Sequence, residues 1–259
     1  MFARPEALNP EKHREVAYAG IPDYRFADDI LTIPLLSGEL SLAVGEYVIL
    51  FEHNKPMTVA LLGVQKGRNA YVSDKGVWNA RYIPASIRAY PFSAVSSGAA
   101  TEDAQHHSFT LVIDTQAPHL NAPNGERLFD DEGGQTGLLE RIKGIMTNLQ
   151  RDALLTARLV QQIDDAGLLV PRRIIAKNSG VALEGFRAVD VDALARLPAN
   201  ELAELRSSGA LMMVYLHMAS QINLNAGVIG QVGQVEGKKP MAASVFSLFD
   251  DDGDIQISH

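Results

Sequence analysis

The chain has 259 residues, 23 Lys and Arg against 31 Asp and Glu, and no cysteine. A chain this long buries roughly 70–75% of its unfolded surface, so it needs no covalent staples, and the lack of cysteine excludes disulfides, thiolate zinc sites, iron–sulfur clusters and cysteine nucleophiles. The net charge of −8 argues against a general nucleic-acid or anionic-membrane surface.

Residues 1–16 carry Arg4, Lys12 and Arg14 with no apolar run behind them, which does not read as a signal peptide. No window reaches the roughly 20 apolar residues of a membrane span. A cytoplasmic protein without membrane insertion is therefore expected. Residues 1–28 are polar, with turn signals at Asn9-Pro10 and Ile21-Pro22, and read as an irregular arm packed on the body.

Ile30–Leu35 is a short apolar run. Tyr47–Phe51 and Met57–Val64, joined through His53-Asn54-Lys55-Pro56, predict an antiparallel hairpin over 47–64. Asn69–Val72 reads as a further short strand, Ser93–Gln105 as a loop, and Ser108–Asp114 as a half-buried strand by its alternation. Asp114–Gly134 is a long loop of the kind that covers or functions.

From Thr136 the apolar residues Leu138, Ile142, Ile145, Leu149, Ala153, Thr156, Val160 and Ile163 recur at threes and fours. This predicts a long helix over 136–167 with Thr136 as its cap. Residues 172–189 predict a second hairpin. Helices follow at 191–196, at 200–207 with Asn200 as cap, and at 209–223. The sum is an α+β fold: a mainly antiparallel sheet covered by the long helix and the C-terminal helices.

Two regions are expected, a domain over 1–224 and a Gly-rich, acidic tail over 225–259. In the tail Gly227, Gly230, Gly233 and Gly237 interrupt any helix. Val245–Phe249 is its one apolar run and is the segment through which a homo-oligomer could pair. Asp250, Asp251, Asp252 and Asp254 lack the later glutamate of a calcium loop.

Aromatics, arginines and prolines are most tightly interleaved over Trp78–Phe92, which holds the single tryptophan. Pro84 and Pro91 bracket a short helix at 84–90. On it Arg81, Pro84 and Arg88 fall on one face, beside Ile83, Ile87 and Tyr90 on another. Arginine's planar fork pairs with carboxylates or phosphates, and aromatic neighbours add stacking, so Trp78, Arg81, Tyr82, Arg88 and Tyr90 form the candidate binding surface. The competing reading makes Trp78, Tyr82 and Phe92 core anchors and has the arginines hold Asp130-Asp131-Glu132.

His106, His107, Asp114, His119, Asp130, Asp131 and Glu132 match no zinc or facial-triad spacing, and no metal site or cofactor is expected. Asp114 and His119 flank one loop and are the candidate acid/base pair, or else an ordinary turn lock. No GxSxG, P-loop or dinucleotide fingerprint is present. His217 lies beside the apolar stripe of the last helix and reads as a boundary histidine bonded locally.

The chain resembles the SapC family, a bacterial group associated with surface-array (S-layer) protein loci. The resemblance rests on Leu8–His13, Ile33-Pro34-Leu35, Glu46–Phe51, Ala60–Gly63, Trp78–Pro84 with Ile87–Phe92, Ala117–Leu120, Leu128-Phe129-Asp130, and Gly209-Ala210-Leu211 with His217. It implies an accessory role, and some relatives lie near flavin-dependent halogenases and iron-dependent hydroxylases. The expected function is recognition of a protein or peptide partner through the arginine and aromatic surface. The alternative is an enzyme or enzyme subunit acting on a small molecule or peptide.

Overall fold

The structure, a computed structural model, describes residues 1–96, 109–176, 182–233 and 235–236. His106, His107, the Lys177–Gly180 turn, Val245–Phe249 and the aspartates after it lie outside the described residues.

The N-terminal arm is packed on the body, as expected, but it does so by supplying strands. β1 (Pro5–Ala7) is followed by α1 (Pro10–His13), which Asn9 opens by accepting the Glu11 N–H at 2.7 Å, and by β2 (Ala17–Tyr18). After a 3₁₀ turn come β3 (Thr32–Leu35), α2 (Leu40–Ala43), β4 (Val48–Glu52) and β5 (Thr58–Leu61). The β4–β5 hairpin is the one expected over 47–64, and both strands are buried along their apolar lengths.

Asn69–Val72 is not a strand; only a single bridge joins Val72 to Trp78. The Asn69 side chain accepts the Tyr71 N–H at 2.9 Å, so a side chain competes locally with any ladder. The short helix α3 spans only Ala85–Arg88, with Pro84 extended outside it as the cap.

β6 (Phe92–Ser96) takes the first residues of the segment expected to be a loop. It pairs with β7 (Phe109–Asp114), which also pairs with β1, giving a three-stranded sheet. Phe92 and Ala94 face Ile113 and Leu111 across the ladder, so this short alternation is enough to form a strand once β7 is beside it. β8 (Glu126–Arg127), in the long covering loop, pairs with β2.

α4 (Gly137–Asp165) is the long helix, opened by Thr136. Its buried residues are Leu139, Ile142, Met146, Thr156, Leu159, Val160 and Ile163, whereas Ile145 is exposed. The first half packs with Phe92 and Ile113 of the small sheet and with Leu128 and Phe129 just after β8, and the last turns join the main core. Between them Ser37 ties the helix polar-to-polar, its N–H to Thr156 Oγ1 at 2.7 Å and its hydroxyl to Asp152 Oδ1 at 2.6 Å. The apolar stripe is thus two stripes on one helix, one per core, with a polar joint between.

β9 (Leu169–Ala176) and β10 (Ala182–Val189) form the second hairpin, and β10 pairs with β4. α5 (Val191–Ala195) is capped by Asp190. α6 (Ala199–Ser208) begins after Pro198, so Asn200 lies in its first turn and is not the cap. Gly209, at φ 93°, ends α6 and starts α7 (Ala210–Ser220), a conformation that suits glycine.

α8 (Asn223–Ala226) and α9 (Val228–Gly233) follow, and β11 (Val235–Glu236) pairs with β9. Of the glycines expected to break any helix here, Gly227 does so, standing extended between α8 and α9, whereas Gly230 lies inside α9. Ile229 is fully buried, and a Cβ at Gly230 would clash with the Asn225 carbonyl oxygen, so glycine lets α9 close against α8. The main sheet is antiparallel throughout, in the order β11-β9-β10-β4-β5-β3. The fold is α+β.

Candidate functional site

The Trp78–Phe92 stretch is held from beneath by three carboxylates and a tyrosine. Glu39, buried ahead of α2, accepts the Leu36 N–H at 2.9 Å, the Tyr82 hydroxyl at 2.7 Å and the Ala85 N–H at 2.7 Å. Glu46 accepts the Arg81 N–H at 2.7 Å and its Nε at 2.9 Å. Asp114 accepts the Tyr90 hydroxyl at 2.9 Å. Tyr47, next to Glu46 at the start of β4, accepts the Trp78 indole N–H at 2.8 Å and donates its own proton to the Tyr82 carbonyl.

Trp78 and Tyr90 are therefore buried and Tyr82 is half-buried, while Arg81 and Arg88 are exposed. Burial and the Glu39 bond push the Tyr82 hydroxyl up to about 12, so it stays a neutral donor. Arg81 and Arg88 are not placed by one helix, because only 85–88 is helical and Pro84 is buried. Each is placed separately. Arg81 is fixed by Glu46, and its side chain is still 92% exposed. Arg88 turns back so that Nε donates to the Ile83 carbonyl at 2.9 Å and its guanidinium lies 5.7 Å from the Tyr82 ring centre. Neither arginine reaches Asp130-Asp131-Glu132; Arg127 pairs with Asp131, and Asp130 locks its own turn through the Glu132 and Gly134 N–H groups.

Beside Arg81 lies an open depression of about 330 Å³ lined by Gly45, Glu46, Tyr71, Asn79, Ala80, Gly227 and Val228. Asn79 and Arg81 of its lining are exposed while Trp78 turns inward.

Asp114 and His119 are both buried, and no hydrogen bond joins them; each contacts Tyr90 instead. Besides Tyr90, Asp114 accepts the N–H groups of Ala3 and Arg4, both at 2.9 Å, and of Gln116 at 3.2 Å. Burial alone would raise its pKa, and these donors outweigh burial and hold it below the ordinary carboxylate value. Asp114 thus clamps the N-terminal arm, whose Phe2 ring meets Tyr90 edge-on at 5.4 Å. His119 approaches the Asp23 carbonyl at 3.3 Å through Nε2, its Nδ1 has no partner, and burial lowers its pKa. Asp114→Asn keeps one acceptor oxygen and should cost about 1–2 kcal/mol. Its signature is faster amide exchange and proteolysis across residues 1–7 than in the rest of the protein.

Sequence reasoning missed Glu39, Glu46 and Tyr47 as the supports of the stretch. A faint signal exists for Glu39, which stands three residues after Leu36 in the spacing of a carboxylate that returns to a helix-opening N–H. His217 is not a locally bonded boundary residue. It is buried, donates from Nδ1 to the Ile49 carbonyl at 2.8 Å and accepts the Val189 N–H on Nε2 at 3.2 Å.

Among the described residues no cluster of three His, Asp or Glu could hold a metal ion, and no helix is long and apolar enough to cross a membrane. Fold and site together define an α+β protein whose exposed arginines are fixed on a buried carboxylate and aromatic frame. The SapC family model matches residues 8–226, and the chain belongs to the SapC family. No curated protein and no solved structure matches it.

Proposed function

We propose that this SapC-family chain is an accessory cytoplasmic binding protein that recognises an acidic protein or peptide partner. Arg81, Tyr82 and Arg88 make the contact, and Trp78 and Tyr90 hold the surface from below. The observation that carries this reading is how the two arginines are fixed. Each donates its Nε to the protein itself, Arg81 to Glu46 and Arg88 to the Ile83 carbonyl, and both side chains stay exposed. A guanidinium positioned this way has lost part of its rotamer entropy before any partner arrives, which favours paired hydrogen bonds to a carboxylate or phosphate. The depression beside Arg81 gives room for one side chain of the partner. Asp114 and His119 are assigned to holding the arm and the Tyr90 ring.

The test is affinity capture from the source cell's lysate with the native chain and with Arg81→Glu/Arg88→Glu. A specific protein retained by the native chain should be lost about tenfold or more, equivalent to at least 1.4 kcal/mol. The emission of Trp78, which is buried, should stay at its native wavelength. Equal retention by both chains overturns the assignment of these arginines.

A further inference from the structure

α7 is apolar on every side. Its eleven residues include no charged side chain, and its one histidine, His217, is buried. A helix of this composition is normally enclosed. Here Met212 is 63% exposed, Tyr215 51%, and Ile222, in the turn that follows, 64%. With Ala219, also exposed, they stand at successive spacings of three, four and three, the seam of a helix that packs on another apolar element. Leu42 of α2, which touches α7, is 60% exposed as well.

The sequence supplies one occupant for this seam. Beyond Glu236 the only apolar run is Val245-Phe246-Ser247-Leu248-Phe249, and Asp250, Asp251, Asp252 and Asp254 follow it at once. The two long helices that flank α7 carry cations: Arg151 and Arg158 on α4 and Arg206 on α6, each exposed and in no ion pair among the described residues.

The reach is sufficient. Glu236 sits opposite Ile175 near one end of β9, while Leu169 at the other end pairs with Val189, whose N–H meets His217 of α7. That is about 20 Å along the strand and about 10 Å across one helix, and the nine residues from Glu236 to Val245 span up to about 30 Å.

We propose that residues 245–249 dock on the Met212, Tyr215 and Ile222 face of α7 in the same chain, with the following aspartates beside Arg151, Arg158 and Arg206. The docked segment is an internal cover for an apolar surface.

Because the chain has no cysteine, a designed pair reports directly. The full chain carrying Tyr215→Cys with Phe246→Cys, oxidised at low micromolar concentration, should form an intrachain disulfide seen as a faster non-reducing band. Val77→Cys with Phe246→Cys, placed on an exposed site elsewhere, should not. A cross-link no more frequent than this control overturns the proposal. A disulfide found only between chains also overturns it and assigns the seam to a second copy. Independently, ending the chain after residue 240 should raise the rate of Met212 oxidation by peroxide about threefold or more, with Met213, which is buried, as the internal reference. An unchanged Met212 rate counts against the cover.

Discussion

Glu39→Ala should destabilise the protein by about 3–5 kcal/mol, a large share of the 5–15 kcal/mol that holds a typical domain. The carboxylate takes three donors at once, from Leu36, Tyr82 and Ala85, and the two backbone N–H groups among them belong to buried residues. Alanine leaves those two amides with neither protein nor water, and each orphaned donor costs about 1–3 kcal/mol. It also frees the start of α3 and the ring on which Arg88 rests. Glu39→Gln keeps one acceptor oxygen and should cost roughly half as much, and Tyr82→Phe, which removes the bond to Glu39 and a long 3.5 Å one from Arg88, about 1 kcal/mol. Urea unfolding followed by Trp78 fluorescence gives the three values under identical conditions. An alanine variant no less stable than Tyr82→Phe would show that Glu39 is not the support of this stretch.

What the sequence made legible is what local pattern determines. The 48–61 and 169–189 hairpins announce themselves as β-rich runs across polar turns and the long helix by its period of three to four, and burial is continuous along β4 and β5. The density of aromatics and arginines at Trp78–Phe92 marked the stretch around which much of the structure is arranged. Which of those side chains face inward was not readable, because Glu39, Glu46, Tyr47 and Asp114 decide it from distant places in the chain. β1 escaped for a related reason. Pro5–Ala7 has no strand signal of its own and forms against β7, where Asp114 holds the Ala3 and Arg4 amides just before it. The two stripes of α4 read as one because periodicity reports a face and does not report which core that face meets. Gly230 misled in the opposite direction, since a glycine kept for close approach looks in sequence like a glycine that breaks a helix.

His217 shows the same limit and has the larger consequence for behaviour in solution. β10 pairs with β4 only at Glu52 and Phe51, so the edge of β4 around Ile49 has no strand beside it. α7 and Gln221 just after it fill that edge with side chains: Ser220 Oγ accepts the Ile49 N–H at 3.0 Å, and His217 and Gln221 donate to its carbonyl at 2.8 and 2.9 Å. The imidazole has to be neutral to do this, since Nε2 must accept from Val189 while Nδ1 donates. Burial, with a smaller contribution from the Arg172 charge, lowers its pKa to about 4, against an ordinary value near 6.5. The unfolded chain therefore binds a proton between those two values that the folded chain does not. Stability is full above about pH 6.5 and falls as pH drops toward 4, by about 3 kcal/mol over the interval. His119, whose pKa burial also lowers, adds to the loss in the same direction. The carboxylate of Asp114, held below its ordinary value, contributes only at lower pH. Equilibrium unfolding at a series of pH values from 7.5 to 4 should show this slope, and His217→Gln should remove most of it whatever its absolute stability. A native slope that His217→Gln leaves unchanged would mean that α7 does not depend on a neutral imidazole to close the edge of β4.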